Sequence, residues 1–467
     1  MGKSFEMIPR EVKKVKTKYR KIVTKIPVPE SLAIIEDLRK YEPRSMSGQP
    51  LIIWDRAEGI NVYDKYGNQW IDFSSGVVVT NSGHCNPAVQ KAILDLVKHG
   101  LLHTYCFPNE ARAGLVKKLA EIAPEPLKKV FLLTTGAETT ECAIKLCRTY
   151  GKKNGGPKKI KIITFEDAFH GRTLGSLQAG GSVKAKDWVV NLDPDFYQAP
   201  YPNSFKYDWA DQRNPNYSDD KCFNAFLAYL EKEHINPEHI AGIMSETFQG
   251  GWVELMPAGF AQKLRQFCDK YNILLVFDEV QAGFGRTGKL FAFQHYGVVP
   301  DLMCCGKGIS SSLPLSAIVG RQDVMDLYGP NEMTSTHTGN PVCSAAALAN
   351  INYIIEKHLV ENAAKLESVC LDHLTKLQQK YPEIGHVKGA GLAWGLVFVK
   401  KGTKEIDPDL AHDIVRISIE KGLMFFAPVG AGATIKVCPP LIINKEALTE
   451  GLEVFAEAIA EAVALRN

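Results

Sequence analysis

The sequence predicts an α/β protein, with a mostly parallel sheet in one large domain and a second, smaller α/β domain. Two observations carry this expectation. Short apolar runs alternate with amphipathic stretches along most of the chain, the pattern of parallel strands joined by crossover helices. At 467 residues the chain is long enough for two or three structural units, and its character changes near Asn340 and Pro341. No internal repeat or low-complexity tract interrupts the pattern, and no run of 18 apolar residues could span a membrane.

Taken in order, the runs 130–133, 160–165, 240–244, 273–277, 302–305 and 315–319 read as buried strands, each ending where polar residues or glycine begin. Between the first two, 138–150 places Ala143, Ile144, Cys147 and Tyr150 on one face of a crossover helix, as a 3.6-residue period requires. The stretches 154–158 (NGGPK) and 197–216, the latter rich in Pro, Asn and Asp, read as loops or an excursion from the sheet. Beyond Pro341 an Ala-rich helix (343–355) leads to strands at 392–399 and 434–437 and a final helix at 445–465.

With 45% hydrophobic and 23% charged residues, the chain is neither collagen nor coiled coil nor wholly disordered. Its net charge of +3 hides an asymmetry: residues 1–25 hold nine Lys or Arg against Glu6 and Glu11, so this leader is +7 and the remainder −4. The leader lacks the stacking aromatics of a nucleic-acid arm, and its glutamates and scarcity of Ser argue against a transit peptide. It reads as a solvated segment packed loosely on the body. Eleven cysteines without metal-type spacing fit reduced thiols in a cytoplasmic protein, with no metal site and no nucleic-acid or membrane partner expected.

In open α/β sheets ligands bind outside the carboxyl ends of the strands, so the residues just past each run are the candidates for chemistry. After 130–133 comes Thr134-Thr135-Gly136-Ala137-Glu138, a capping-box spacing at a helix start whose free N–H groups favour a phosphate. After 160–165, Phe169-His170-Gly171-Arg172 offers an aromatic face, an imidazole and a guanidinium. After 273–277, Asp278 emerges from an apolar strand and needs a cationic or hydrogen-bonded partner. After 302–305, Lys307 stands between two glycines, and a lysine in a dry pocket can lose its proton and act as a nucleophile. Each has a duller explanation alone. Together they supply the phosphate cradle, aromatic stack, carboxylate and lysine that pyridoxal phosphate needs.

A competing pattern, Gly283-Phe284-Gly285-Arg286-Thr287-Gly288, spells the dinucleotide fingerprint GxGxxG. That motif should follow a strand directly and open a helix, whereas five residues intervene after Phe277 and 289–293 does not begin a helical pattern. A nicotinamide dehydrogenase is therefore not expected.

The segment LLVFDEVQAGFGRTGKLFAFQHYGVVPDLMCCGKGISSSLPLSAIVG resembles the signature of class III pyridoxal-phosphate aminotransferases, a family that includes ornithine, acetylornithine, 4-aminobutyrate, β-alanine and taurine transaminases. SGHCNPAV, TTGAETTECAIKL, FHGRT, THTGNP and the late CPPL extend the likeness from about Asp55 to the end of the chain. The resemblance implies a fold-type-I transferase: an N-terminal segment (1–75) joining a C-terminal small domain (341–467), with a large cofactor domain (76–340) between them. It also implies a homodimer with shared active sites. Lys307 resembles the Schiff-base lysine, Asp278 the partner of the pyridine nitrogen, Gly136 and Ala137 the phosphate cradle, and Phe169 the ring-stacking aromatic. His170 and Glu246 join the cofactor site, Val280 and Gln281 resemble the residues under the ring and at its 3-hydroxyl, and Thr336 the threonine reaching the neighbouring subunit's phosphate. Arg172 stands where 4-aminobutyrate and ornithine transaminases hold a substrate carboxylate.

Two departures from the family pattern stand out. Where the family often shows EPxQGEGG, this chain reads Glu246-Thr247-Phe248-Gln249-Gly250-Gly251-Trp252, keeping the first glutamate and lacking the second. The usual arginine before PPL is Lys436. In relatives using 2-oxoglutarate that arginine binds the α-carboxylate and the second glutamate gates it. A lysine cannot reproduce bidentate carboxylate geometry, so recognition of the oxo acid is expected to be altered, with pyruvate as plausible as 2-oxoglutarate. The expected reaction moves an amino group from an ω-amino acid such as 4-aminobutyrate, β-alanine or taurine to a 2-oxo acid by a ping-pong mechanism, with Lys307 shuttling the proton. An amino-acid racemase or epimerase on the same scaffold is the nearest alternative, and a non-catalytic cofactor-binding regulator a remote one.

Overall fold

The computed structural model describes residues 4–215 and 217–466; the first three leader residues and Asn216, the end of the expected loop, lie outside the described residues. Contacts divide the chain into two compact units, Pro87–Gly285 with Lys289–Lys357, and Met1–Asn86 with Arg286–Gly288 and His358–Asn467.

The larger unit is built on a seven-stranded sheet of β1 (Lys129–Leu133), β2 (Lys161–Phe165), β3 (Phe196–Ala199), β4 (Ile240–Glu246), β5 (Leu274–Asp278), β6 (Leu302–Cys305) and β7 (Ser316–Gly320), ordered β1-β7-β6-β5-β4-β2-β3. β7 runs antiparallel to β1 and β6, and every other pairing is parallel. Every residue of β4, β5, β6 and β7 is buried, which is why these strands read as continuous apolar runs and why the reversed direction of β7 leaves no trace in its composition. Only β3 departs from expectation: it occupies the head of the stretch read as a loop. It is a short edge strand of four residues, and the prolines that dominate that stretch begin only after it ends.

The helices of this unit include α1 (Pro87–His99), α2 (Glu110–Ile122), α3 (Gly136–Gly155), α4 (Asp219–Lys232), α5 (Ala258–Lys270) and α6 (Pro341–Glu356). α3 lays Ala143, Leu146 and Cys147 on the sheet and starts at the expected capping box, in which Thr135 and Glu138 satisfy each other's backbone donors. Phe226 of α4 and Phe260 of α5 pack on Phe165 of β2. α6, expected to open the small domain, packs on α1 and α2 inside the larger unit, where its fully buried Ala346 and Ala347 permit close approach.

The smaller unit joins both chain ends. A three-stranded antiparallel sheet of β8 (Ile384–Ala390), β9 (Ala393–Phe398) and β10 (Thr434–Val437) accompanies α7 (Leu359–Lys380), α8 (Pro408–Glu420) and α9 (Lys445–Ala464). A second sheet is drawn mainly from the N-terminal segment, with Leu423–Met424 pairing parallel to Gln69–Asp72. The leader is not the loosely packed, solvated segment expected. Val15–Lys16 and Lys21–Ile22 form a hairpin that extends this sheet, burying Tyr19 and Ile22. In the turn of that hairpin Lys18 and Arg20 reach α9, where Glu446 and Glu450 lie one helical turn apart; the pairs close at 2.9 and 2.8 Å, and the Tyr19 hydroxyl donates to Glu446 as well.

The unit takes in residues up to Asn86 because a buried network ties them there. Ser75 to Val78 follow one another at positive φ, a strained left-handed turn. Asp72 holds it by accepting hydrogen bonds from Ser74 and Ser75, and the Ser75 hydroxyl donates to the Cys438 carbonyl. The arginine of the GxGxxG pattern completes it. Arg286 is fully buried and donates to the carbonyls of Leu392 and Pro439, the Ser75 hydroxyl and the Asn81 side chain, at 2.5–3.2 Å. Glycine is required nearby, since a Cβ on Gly391 would collide with the Thr287 backbone. The pattern therefore serves as a strut. Arg286→Gln should lower unfolding free energy by at least about 3 kcal/mol, because several buried acceptors lose a charged donor. Urea denaturation would check this, and a loss below about 1 kcal/mol would contradict it.

Candidate active site

The carboxyl ends of β1, β2, β4, β5 and β6 meet around a cleft, the place where open α/β sheets bind their ligands. Gly136 and Ala137 enter it from the start of α3, and Phe169, His170 and Gly171 from the turn after β2. Glu246 closes β4, Asp278 closes β5 and is followed by Val280 and Gln281, and Lys307 stands two residues past β6. The structure thus brings together nine of the residues expected at the site.

The strand register fixes the polar floor. Asp278 sits opposite Glu246 on one neighbour and Cys304 on the other, a carboxylate inserted into an apolar sheet. Its charge is met locally: Oδ2 lies 2.9 Å from His170 Nδ1, and Oδ1 accepts the Val280 N–H at 3.0 Å. His170 is itself held in place, its carbonyl accepting the Thr140 hydroxyl at 2.8 Å, while its Nε2 is buried without a partner. The imidazole and Asp278 thus form one buried pair, and Thr140 anchors the backbone that carries the ring.

Lys307 adopts a left-handed φ of +44° at the start of a short 3₁₀ turn, between Gly306 and Gly308. Burial pushes its ammonium pKa down, against the opposing pull of Asp278 and Glu246. A lysine in this position is more easily neutral than one at the surface. Burial also pushes Glu246 up to about 7; His170 opposes this rise, Asp278 adds to it, and two backbone N–H donors hold the ionised form. Glu279, one residue beyond Asp278, is likewise pushed up to about 7 by burial. It points away from catalysis, since its two oxygens accept the N–H groups of Ala292 and Phe293 at 2.9 Å.

Three expected residues stand apart from this cleft's lining. Arg172 is exposed, with its guanidinium 5.5 Å from the centre of the Phe169 ring, and enters no ion pair among the described residues. Thr336 lines an open groove with Glu138, Glu141 and Met333. Lys436 lies buried in β10 of the smaller unit, 5.9 Å from the centre of the Phe426 ring. Sequence reasoning named no role for Gly171. Its φ is +135°, and a Cβ there would fall 2.6 Å from both Ala137 Cβ and Ser176 Oγ. The FHGR run carried the hint, because a glycine between an imidazole and a guanidinium marks a close backbone approach.

A family model for aminotransferase class-III matches residues 44–459. The chain is 34% identical to a 4-aminobutyrate aminotransferase from Mycobacterium leprae, over 95% of this chain and 98% of the relative. It is 31% identical to an alanine/serine racemase from Pyrococcus horikoshii, over 98% of this chain and 96% of the relative. Among solved structures, an ω-transaminase from Pseudomonas jessenii in complex with PMP matches at a TM-score of 0.83 and 27% identity, covering 92% of this chain and 95% of that one. Fold and cleft together define a pyridoxal-phosphate-dependent transferase of fold type I. The chain belongs to the class-III aminotransferases and is an enzyme of that kind.

The cleft fits the cofactor on its own geometry. At the phosphate end, Gly136 leaves room that a side chain would take, since a Cβ there would stand 2.9 Å from Val280, and α3 presents its N-terminal N–H groups beside it. At the other end, Asp278 supplies a buried negative charge braced by His170.

Proposed function

We propose that this chain is an ω-amino-acid aminotransferase, taking its amino group from a donor of the 4-aminobutyrate, β-alanine or taurine type and passing it to 2-oxoglutarate or pyruvate. The observation that carries the reading is the arrangement of Lys307, Asp278 and His170 in one cleft, with the exposed Arg172 guanidinium beside the Phe169 ring. Bound pyridoxal phosphate supplies an aldehyde that captures amines and a ring that withdraws electrons. Lys307 would hold the cofactor and, when free, would be the base that takes the proton from the amine-bearing carbon; burial lowers its pKa in that direction. Asp278, paired with His170, would supply the negative charge for the ring nitrogen. Gly136 and Ala137 would hold the phosphate, Phe169 would stack on the ring, and Val280 and Gln281 would support its other face and its hydroxyl.

Arg172 binds the donor's distal anion, with Lys436 as a second cation for substrate carboxylates. Arg172→Met should raise the donor KM by about 10-fold or more while leaving kcat for a neutral amine such as benzylamine within about 3-fold, because a charge-assisted hydrogen bond is lost only where the substrate is anionic. An equal loss on both donors would contradict the assignment. Thr336 would serve the cofactor of a second subunit; its place in an open groove outside the cleft's own lining and the exposed Leu94, Val97, Leu102 and Phe107 support a homodimer. Eleven unbridged cysteines support a reducing, cytoplasmic setting, and no helix among the described residues is long and apolar enough to cross a membrane.

The Pyrococcus relative favours a second reading, racemisation of an amino acid by the same lysine and carboxylate. A panel of amines and oxo acids separates the two: ping-pong transfer from an ω-amino acid supports the first, and loss of optical rotation in an α-amino acid without net transfer supports the second.

A further inference from the structure

Among the charged residues lining the cleft, Glu246 has no step in the proposed chemistry. Its surroundings give it another task. Oε2 accepts the Phe169 N–H at 2.9 Å and Oε1 accepts the Gly250 N–H at 2.9 Å. These donors belong to two different turns, one after β2 and one after β4, and each places a cleft residue. Phe169 is 43% exposed, so packing alone does not hold its ring, whose position depends on the backbone that bears it. Gly250 lies so close to the Gln281 amide that a Cβ would collide with it, so the Gly250 backbone defines where that amide rests. Glu246 itself ends a fully buried strand in register with Asp278. One rigid carboxylate thus roots two turns in the sheet.

We propose that Glu246 is a positioning residue that braces the Phe169 stacking face and the Gly250–Gln281 contact around the cofactor. The turns are also joined by the Trp252 indole N–H donating to Asp167 at 2.9 Å, so the fold does not depend on the brace. This inference rests on the proposed function, because it concerns how the cofactor ring is held.

The test is Glu246→Gln, which keeps the side chain's shape but turns an N–H donor toward one of the two backbone N–H groups. The apo variant should bind pyridoxal phosphate about 10-fold more weakly, since one hydrogen bond to a charged acceptor is lost, and the circular dichroism band of the bound cofactor should shrink. A double-mutant cycle with Phe169→Leu, which deletes the ring and keeps the N–H, supplies the decisive comparison. In the Phe169→Leu background the Glu246→Gln change should weaken cofactor binding by a factor at least about 2-fold smaller, because only the Gly250–Gln281 contact is left for it to position. The same factor in both backgrounds would overturn the proposal. So would unchanged affinity and dichroism accompanied only by a lower melting temperature. If the glutamine variant does not fold, Glu246→Asp, too short to reach both donors, is read in the same way. A wild-type protein that binds no pyridoxal phosphate would count against the proposed function, whereas normal wild-type binding with an additive cycle would count against Glu246 alone.

Discussion

Lys307→Ala is expected to lower kcat by on the order of 10⁴-fold, the upper range for losing a positioned proton-transfer group, while the protein still folds and still takes up pyridoxal phosphate. The fold should survive because the side chain reaches into the cleft instead of filling the core, and the neighbouring Gly308 and Ile309 remain fully packed. The left-handed φ at position 307 is already borne by a residue with a Cβ, so alanine adds no new strain. Cofactor uptake should persist, because the start of α3 and the Asp278–His170 pair are untouched. Single-turnover assays with a saturating donor check the claim. A variant turning over within 10-fold of wild type would mean that another base removes the proton.

Asp278→Asn should lower kcat by about 10²–10³-fold with a smaller effect on donor KM, the pattern of a buried charge that matters most in the transition state. The side chain has no conformational freedom to compensate. Its two oxygens are committed to His170 Nδ1 and the Val280 N–H, so an asparagine loses the charge and keeps the His170 contact only by donating its NH₂ to an imidazole whose proton has moved to Nε2. Removing the carboxylate also removes the pull that raises the Lys307 pKa, leaving burial to lower it further. Steady-state kinetics of the variant with several donors checks this. Equal losses in kcat and in cofactor affinity, with His170→Ala harmless, would contradict a shared Asp278–His170 function.

The core of the fold was legible because its strands are buried on both faces, and such strands must be apolar throughout. The Lys307 and Asp278 positions were legible because polar groups at the ends of apolar runs stand out, and Gly136 because the Thr135–Glu138 capping box marks the helix start that it opens. The edge strand Phe196–Ala199 was hidden by its own half-burial and by the prolines that follow it. The leader was misjudged because its partners, Glu446 and Glu450, lie more than 420 residues away and no local pattern announces them. The role of Arg286 is hidden by the motif it happens to spell, since its four acceptors come from three distant segments. The Glu246 brace was equally invisible, because its partners are backbone N–H groups that any residue supplies.

The most direct test reduces the purified holoenzyme with borohydride, digests it and locates the pyridoxyl group by peptide mass spectrometry. The account predicts a single modified lysine, Lys307, and no modification when an amino donor is supplied in excess before reduction. Modification at any other lysine, or labelling of Lys307 that donor does not prevent, would contradict it.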